Sequence, residues 1–427
     1  MSGMSGMSGM SGLWTQEAER IFADIARLSS DPEVGITRES YGEGESKAID
    51  YLSHYARSCG LQVHSDAAGN VIFQRECDSG EPALWCGSHL DSVPQGGNYD
   101  GLAGVVSGLL CLRRLDEEQV RTARPFRVLG LRGEESAWFG KSYIGSRAVI
   151  GGLKAADLQL ANRFNKKSLG DCMRAVGADI EAIEQQEWLI DRTQFAGYLE
   201  VHIEQAESLE NKQQPVGVVP GIRGNLRHNH VCCRGEDGHS GAVSREDRHD
   251  SVFAFSEWVA CIDRMWADWV AQGRDLVATV GTLNTNAAHH AVSRIPGEVH
   301  FSLELRSLHQ QTLDDFYAAI QLARQEIEQT RGVRFEFDTR IDTAEAAMHE
   351  PWVEHLVDIA RDHDCQGLLI PSGAGHDAAI FANQGIPCAM LFIRNQHGSH
   401  NPHEAMRISD FVIATDILYQ AAQELTL

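Results

Sequence analysis

One junction between two apolar segments carries three polar side chains and constrains the fold. Ala83 to Cys86 is a short apolar run typical of a buried strand, and Leu102 to Leu115 has the apolar periodicity of a helix. Between them lie His89, Asp91 and Asp100. Because open α/β sheets bind ligands at the carboxyl ends of their strands, this junction predicts an α/β fold with a functional site at that edge.

Three more apolar segments end in the same kinds of residue. They are residues 127–131 followed by Glu134 and Glu135, residues 196–203 with His202 near the end, and residues 388–393 followed by His400. Imidazole and carboxylate together suit divalent ions such as zinc, and Asp91 is well placed to hold the far ring nitrogen of His89. The segment ends together predict a dinuclear metal hydrolase. Scattered surface acids and structural histidines are the alternative interpretation.

Motifs along most of the chain resemble one known family. From about residue 40 to the end, the sequence contains GSHLDSVPQGGNYDG, GEES, EVHIEQ, VGVVPGIRG, SRIPGEV, LELR, SGAGHDAA and GSHNP. These motifs resemble the M20 metallopeptidase and amidohydrolase clan. Within that clan, EVHIEQ together with SGAGHDA favours the branch of N-carbamoyl-L-amino acid hydrolases, β-ureidopropionases and allantoate amidohydrolases over the peptidases.

The resemblance implies a metal centre with its catalytic groups. The metal ligands would be His89, Asp100, Glu135, His202 and His400, with Asp100 bridging two divalent ions. His89 and His202 would hold one ion, and Glu135 and His400 the other. Glu134 would be the general base for a hydroxide that bridges the ions, and Asp91 would support catalysis through His89. Zinc is the expected metal, and manganese, cobalt or nickel would fit the same ligands.

The resemblance also implies residues that contact the substrate. His239 matches a lid histidine that serves the active site of the partner subunit, so activity would require a homodimer and closure of the lid. Arg306 matches an arginine that binds the substrate carboxylate, and Gln205 matches a position near the metals. Asn225 and His290 stand where the family commonly has other residues, and we expect both to contact the substrate.

Two further residues are predicted to line the site. Gly375 and His376 precede a short predicted helix from Ala378 to Asn383. Glycine allows a close approach, and a helix N terminus offers free N–H groups to a carboxylate or an oxyanion. The chain departs from the family pattern at Ala242 to Arg245, shortly after His239, and this departure leaves the substrate open.

The metal-ligand motifs are missing from the middle of the chain. There, the periodicity predicts strands and helices in the order β-β-α-β-β-α, which forms a four-stranded antiparallel sheet with two helices on one face. We assign residues 213–330 to this inserted α+β lid and dimerisation domain. Residues 13–212 and 331–427 form the predicted catalytic domain, a mixed, mostly parallel sheet sandwiched by helices. Residues 1–12, four Met-Ser-Gly repeats, are predicted to be a disordered tail.

Composition limits the partners and the compartment. The net charge of −23 argues against nucleic acid or an anionic membrane as a partner, because both require basic patches. The ten cysteines have no CxxC spacing and are interpreted as reduced thiols. No apolar run reaches the roughly 18 residues of a transmembrane helix, and the N terminus lacks the pattern of a signal peptide. Composition therefore favours a cytoplasmic protein, while the homodimer and the small-molecule substrate are what the family resemblance implies.

The sequence thus predicts a metal-dependent hydrolase of linear amide C–N bonds. The preferred substrate is an N-carbamoyl-L-amino acid, which would yield the amino acid, carbon dioxide and ammonia. Allantoate and 3-ureidopropionate are alternatives, as is the activity of a peptidase or an N-acyl-amino acid deacylase. A non-catalytic binding relative is the alternative from another class, and the presence of every motif residue argues against it.

Overall fold

The computed structural model describes residues 4–29, 34–76 and 80–425. Its helices are α1 (Met4–Arg27), α2 (Glu43–Ser58), α3 (Leu102–Glu117), α4 (Ser136–Phe139), α5 (Ile144–Val149), α6 (Leu169–Ala175), α7 (Ile180–Glu184), α8 (Ser208–Asn211), α9 (Ser251–Ala271), α10 (Gln310–Arg331), α11 (Glu350–Asp362), α12 (Asp377–Ala382) and α13 (Ile408–Glu424). Its strands are β1 (Gln62–Ser65), β2 (Val71–Gln74), β3 (Ala83–His89), β4 (Phe126–Leu131), β5 (Phe195–Ile203), β6 (Val216–Val219), β7 (Gly221–Ile222), β8 (Gly224–Arg234), β9 (Gly238–His239), β10 (Val277–Thr279), β11 (Leu283–Thr285), β12 (Arg294–Ile295), β13 (Glu298–Ser307), β14 (Arg334–Phe337), β15 (Ile341–Thr343), β16 (Ala346–Ala347), β17 (Cys388–Ile393), β18 (Asn395–Gln396) and β19 (Ala405–Met406).

The chain divides into two compact units. The first comprises Met1–Pro220 and Met348–Leu427, and the second is Gly221–Ala347. These limits differ from the predicted boundaries at residues 213 and 330. Strand β6 pairs with β17 of the first unit, whereas β14 and β15 pair with β8 of the second. Pairings between segments so distant in sequence cannot be read from local periodicity.

A seven-stranded mixed sheet forms the centre of the first unit. Its order is β1-β2-β4-β3-β5-β17-β6. The four inner strands β4, β3, β5 and β17 run parallel to one another, and the outer pairings are antiparallel. Every residue of these four strands is buried, as expected for a sheet covered on both faces. Their shared orientation brings the carboxyl ends of all four strands to one edge of the sheet.

The N-terminal helix begins within the segment that was predicted to be a disordered tail. Helix α1 begins at Met4, so residues 4–12 are helical and do not form a disordered tail; residues 1–3 lie outside the described residues. Trp14, Ala18 and Phe22 are buried and hold the later turns of the helix in place. Extending an existing helix costs far less than starting one, so the repeats continue the helix toward the N terminus.

The second unit contains an antiparallel sheet with two helices. Its main path is β10-β13-β8-β14, while β11 also pairs with β13 and β15 also pairs with β8. The sheet therefore has six strands, of which four form the main path and two extend its edges, whereas four strands were predicted. Phe301 and Leu305 of β13 are buried in a core with Trp258 of α9 and Phe316 of α10. The alternate residues of β13 are half-buried on the other face.

No helix in the described ranges is both long enough and apolar enough to cross a bilayer.

Candidate metal centre and active site

The first group of candidate ligands lies at the ends of β3 and β5. The Nε2 atoms of His89 and His202 are 3.3 and 3.2 Å from Oδ1 of Asp100, and 3.4 Å from each other. Their Nδ1 atoms lie 3.1 Å from the carbonyl oxygen of Asp91 and 2.9 Å from that of Ile203, respectively. Because a carbonyl oxygen only accepts hydrogen bonds, each Nδ1 carries a proton. In the neutral rings, both Nε2 lone pairs therefore face the same carboxylate oxygen.

The second group joins the turn after β4 to the loop after β17. Nε2 of His400 is 3.1 Å from Oε1 of Glu135 and 3.5 Å from Oδ2 of Asp100. His400 has a φ of +60°, a left-handed conformation that is uncommon outside glycine. Within each group the candidate ligand atoms lie within 4.8 Å of one another. Asp100 therefore offers one oxygen to each group.

This donor set fits two divalent cations. Oδ1 of Asp100 is buried without a hydrogen-bond partner and faces the Nε2 lone pair of His89, while Nε2 of His202 also accepts the backbone N–H of Gly101 at 3.2 Å. Buried acceptors that converge on one point favour a cation between them. Burial lowers the pKa of His89 and His202, but interactions with Asp100 outweigh it and raise both pKa values. Protons and metal ions therefore compete for the same nitrogens.

Asp91 holds both parts of the centre together. Its Oδ1 lies 3.3 Å from Nδ1 of His89 and accepts the backbone N–H of Glu134 at 3.0 Å. Its Oδ2 accepts the backbone N–H of Glu135 at 3.1 Å and the hydroxyl of Ser40 at 2.5 Å. The sequence predicted the contact with His89. The contacts with the Glu134–Glu135 turn and with Ser40 had no sequence signal.

Glu134 is buried beside the candidate ligands. Its carboxylate belongs to a group with His89 and Glu135 whose ligand atoms lie within 4.8 Å of one another. Burial raises the pKa of Glu134 well above its usual range; the charge of His89 opposes this shift, and Glu135 adds to it. A carboxyl with a raised pKa can accept and release a proton near neutral pH.

Three other predicted residues of the first unit adjoin the centre. Nε2 of Gln205 donates to Oδ2 of Asp100 at 2.8 Å. The buried ring of His376 lies 4.6 Å from that of His202, measured between centroids. A Cβ atom on Gly375 would lie 1.6 Å from the hydroxyl of Tyr143, so a side chain does not fit there. The structure thus brings all three to the metal-ligand cluster or to its surroundings.

The N terminus of α12 differs from the open anion site that the sequence suggested. The backbone N–H of Ala378 donates to Oε2 of the buried Glu200 at 2.7 Å. The other oxygen of Glu200 accepts the hydroxyl of Ser88, the residue before His89, at 2.9 Å. The Glu200 carboxylate therefore already accepts the hydrogen bond of this N–H group. The same carboxylate connects β3, β5 and α12.

Two buried charged residues that the sequence analysis missed hold the loop before Asp100. Arg38 donates to the side-chain and backbone oxygens of Asn98 at 3.0 and 3.3 Å. Oε1 of Glu404 accepts the backbone N–H groups of Tyr99 at 2.8 Å and Asp100 at 3.3 Å. The only sequence signal for Glu404 was its place just after the Ser-His-Asn-Pro motif, and Arg38 had none.

Four predicted site residues belong to the second unit. His239 is exposed on β9, and its Nδ1 accepts the backbone N–H of Gly241 at 3.2 Å, so the neutral ring carries its proton on Nε2. Arg306 lies directly opposite Asn225 on the paired strands β13 and β8. Both arms of the Arg306 guanidinium donate to Glu304, at 3.0 and 3.1 Å.

The fourth of these residues, His290, borders a cavity of its own. Its Nε2 lies 2.6 Å from the hydroxyl of Thr285. With His289, Val292 and Arg294 it lines a space of about 530 Å³. This volume is within the range of small-molecule pockets.

The fold and the site together define the class of this protein. A mixed sheet with candidate metal ligands at its carboxyl edge, interrupted in sequence by an antiparallel unit, is the arrangement expected from the sequence motifs. Residues 85–424 match the model of peptidase family M20/M25/M40, and the chain belongs to this family.

Three relatives indicate which members of the family this chain resembles. The chain is 31% identical over 410 residues to the N-carbamoyl-L-amino acid amidohydrolase of Geobacillus stearothermophilus, covering 94% of this chain and 96% of that protein. It is 28% identical over 417 residues to the allantoate amidohydrolase of Escherichia coli strain K12, covering 95% and 98%. A hydantoinase/carbamoylase family amidase from Burkholderia ambifaria has a TM-score of 0.83 and 26% identity over 96% of both chains. The predicted resemblance is confirmed.

Proposed function

We propose that this protein is a dinuclear metal-dependent amidohydrolase that removes the carbamoyl group of an N-carbamoyl-L-amino acid. The products are the amino acid, carbon dioxide and ammonia. The observation that carries the proposal is the placement of Asp100, whose two oxygens face two separate groups of candidate ligands. Such an arrangement supports two-ion hydrolysis, and the names of the relatives suggest the substrate class.

Glu134 moves the proton in the proposed reaction. Two divalent ions, zinc first among the candidates, would be held by His89 with His202 and by Glu135 with His400; when bound, such ions activate water and polarise a carbonyl. Glu134 accepts a proton from the attacking water and then donates it to the leaving nitrogen. Asp91 keeps Glu134 in position through its backbone N–H.

Residues of the second unit bind the substrate in this proposal. The Nε2–H of His239 donates to the oxyanion that develops on the amide carbonyl. Arg306 binds the substrate carboxylate, which replaces Glu304 as the partner of the guanidinium fork. Asn225 lies directly opposite Arg306 and contacts the same end of the substrate, and His290 is a further substrate contact in this proposal. In the first unit, Gln205, Gly375 and His376 line the metal centre.

The homodimer that we propose supplies His239 across the subunit interface. Co-expression of Glu134→Gln and His239→Ala subunits tests this point. Each variant alone is inactive, but a mixed dimer regains one complete site, so random pairing gives about a quarter of wild-type activity. If His239 acts within its own subunit, the mixture stays inactive.

The substrate is tested by measuring ammonia and free amino acid in the same reaction. Metal-stripped protein is reloaded with zinc or manganese and given N-carbamoyl-L-amino acids, allantoate, 3-ureidopropionate, N-acyl amino acids and dipeptides. Ammonia with free amino acid supports the proposal. Ammonia from allantoate alone favours the activity named for the Escherichia coli relative, and amino acid without ammonia favours a peptidase or deacylase.

The Glu134→Gln variant is the matched control for every substrate in this panel. It should keep its metal and lose turnover by about 10² to 10⁴-fold, the range for a removed general acid–base group. Near-normal turnover would remove Glu134 from the mechanism while leaving the metal site in place.

We also place the protein in the cytoplasm. The nine cysteines in the described ranges are all free thiols, which is the usual state in a reducing compartment.

A further inference from the structure

A second cluster of metal-ligating side chains lies in the second unit, away from the helices of that unit. Ligand atoms of Cys232, Glu298 and His300 are within 4.8 Å of one another. Cys232 on β8 is directly opposite His300 on β13, and Glu298 is two residues before His300 on the same strand. Because side chains two residues apart share a face of a sheet, the strand pairing itself brings the three together.

The chemistry of this cluster differs from that of the first centre. Cys232 offers a thiolate sulfur, His300 an imidazole nitrogen and Glu298 a carboxylate oxygen. Zinc accepts all three ligand types and commonly takes three protein ligands plus a water, whereas the ligands of the first centre include no sulfur. Two paired strands hold ligands more rigidly than loops do.

Burial and access are both suitable for an ion. Cys232 is 8% exposed, while the side chains of His300 and Glu298 are 42% and 26% exposed. Nε2 of His300 already lies 3.5 Å from Oε1 of Glu298. An ion can therefore reach the cluster from the His300 side and meet a thiol that is shielded from solvent.

Charged side chains of both signs surround the cluster. Glu298 accepts from Arg234 at 3.0 Å and from Asn286 at 3.2 Å. Arg234 also donates to Glu336 at 2.7 Å, and Glu336 lies opposite Cys232 on β14. When Glu298 turns to an ion, Arg234 keeps Glu336 as its partner. Arg334 also acts on Glu336, so two carboxylates face two guanidinium groups, and the thiolate that forms when the thiol proton leaves supplies the negative charge for a bound cation.

We propose that Cys232, Glu298 and His300 form a second, separate binding site for a zinc-like divalent cation. Binding releases the thiol proton of Cys232 and links β8 to β13 through the metal. The site lies beside the irregular pairing between Phe301 and Leu303 of β13, so the ion would reinforce the strand pair next to that irregularity.

Cobalt spectroscopy tests this site separately from the first centre. Metal-stripped full-length protein is loaded with cobalt(II), and the near-ultraviolet charge-transfer band that only a thiolate ligand produces is recorded. We expect the band in the wild type, its loss in Cys232→Ser and His300→Ala, and its retention in Cys59→Ser, a control at a half-buried cysteine outside the cluster. The absence of a band in the wild type, or its survival in Cys232→Ser, would overturn the proposal.

Zinc content provides the second measurement. Cys232→Ser should lower bound zinc by about one ion per chain, with the circular dichroism spectrum unchanged. Equal zinc content in the folded variant contradicts the site. The cobalt band and the zinc content test only the second metal site. A protein that shows the cobalt band but does not hydrolyse any substrate would contradict the hydrolase proposal and leave the second site supported.

Discussion

Two buried aspartates separated by eight residues have opposite surroundings and therefore different roles. Asp100 leaves Oδ1 without a hydrogen-bond partner, facing imidazole nitrogens. Asp91 has both oxygens saturated by protein donors, including two consecutive backbone N–H groups. An unsatisfied buried oxygen is costly unless a cation meets it, whereas a saturated one is a structural anchor. The hydrogen bonds thus distinguish the candidate metal ligand Asp100 from the supporting residue Asp91, although both residues are aspartates.

Replacing Asp91 with asparagine should loosen the centre without removing a ligand. The amide offers one acceptor oxygen in place of two and turns an N–H group toward backbone donors. We expect metal affinity to fall by about 10 to 100-fold, the usual effect of losing support for a ligating histidine. Calorimetric zinc titration measures it. Ser40→Ala, which removes a single donor to Asp91, is the matched control and should have a smaller effect; equal effects would contradict this role.

Arg306→Ala should mainly raise KM for a substrate that carries a carboxylate. The guanidinium fork is positioned by its partner Glu304, and a bidentate contact is lost completely on truncation. Arg306→Lys is the matched control, because it keeps the charge and loses the fork. Steady-state kinetics with the best substrate measures both variants. An unchanged KM in the alanine variant would assign carboxylate binding to another group.

At the scale of elements, the N-terminal helix supports the loop that ends at Asp100. The ring of Phe22 lies 5.1 Å from those of Tyr99 and Phe411, measured between centroids. Its carbonyl oxygen accepts the side-chain amide of Asn98 at 3.0 Å. Helix α1 therefore packs against the backbone that positions a predicted metal ligand, although none of its residues was a candidate for the site.

Phe22→Ala should destabilise the protein, while removal of residues 1–12 should not. Truncating a buried phenylalanine costs about 3 to 5 kcal/mol. The deletion leaves Phe22 and the other buried residues of the helix, so its effect should stay within about 0.5 kcal/mol. Urea unfolding monitored by tryptophan fluorescence compares the two. Equal stabilities would mean that this contact contributes little.

Sequence patterns predicted elements well where the signal was local. Strand β17 has the predicted limits Cys388 to Ile393, and β4 and α3 begin or end within two residues of prediction. The pairing of β14 and β15 with β8 was missed because it joins segments about a hundred residues apart. The contacts of Arg38, Ser40 and Glu404 were missed for the same reason, since buried polar partners of a site follow no fixed spacing.

At the scale of the molecule, the two units should respond differently to metals. The candidate ligands of the first centre all belong to one unit. Manganese suits carboxylate and imidazole but not thiolate. Reloading the stripped protein with manganese should therefore protect the first unit from hydrogen exchange and leave the second unchanged. The stabilisation is about 2.7 kcal/mol when free metal is about 100 times Kd.

Peptide-level hydrogen exchange measures this response, and zinc gives the comparison. Zinc should protect the first unit and also the strands around Cys232. Equal protection of both units by manganese would contradict the separation of the two centres.

The place of β17 in the sheet has a consequence for the synthesis of the chain. β17 lies between β5 and β6, yet it follows the whole second unit in the sequence. During synthesis on the ribosome, the position between β5 and β6 therefore stays unpaired until nearly the whole chain has been made. His400 is synthesised only after β17, the strand that fills this position. The hydrolytic centre thus cannot be completed by a truncated chain, and a prematurely terminated product would expose the unpaired edges of β5 and β6 to aggregation.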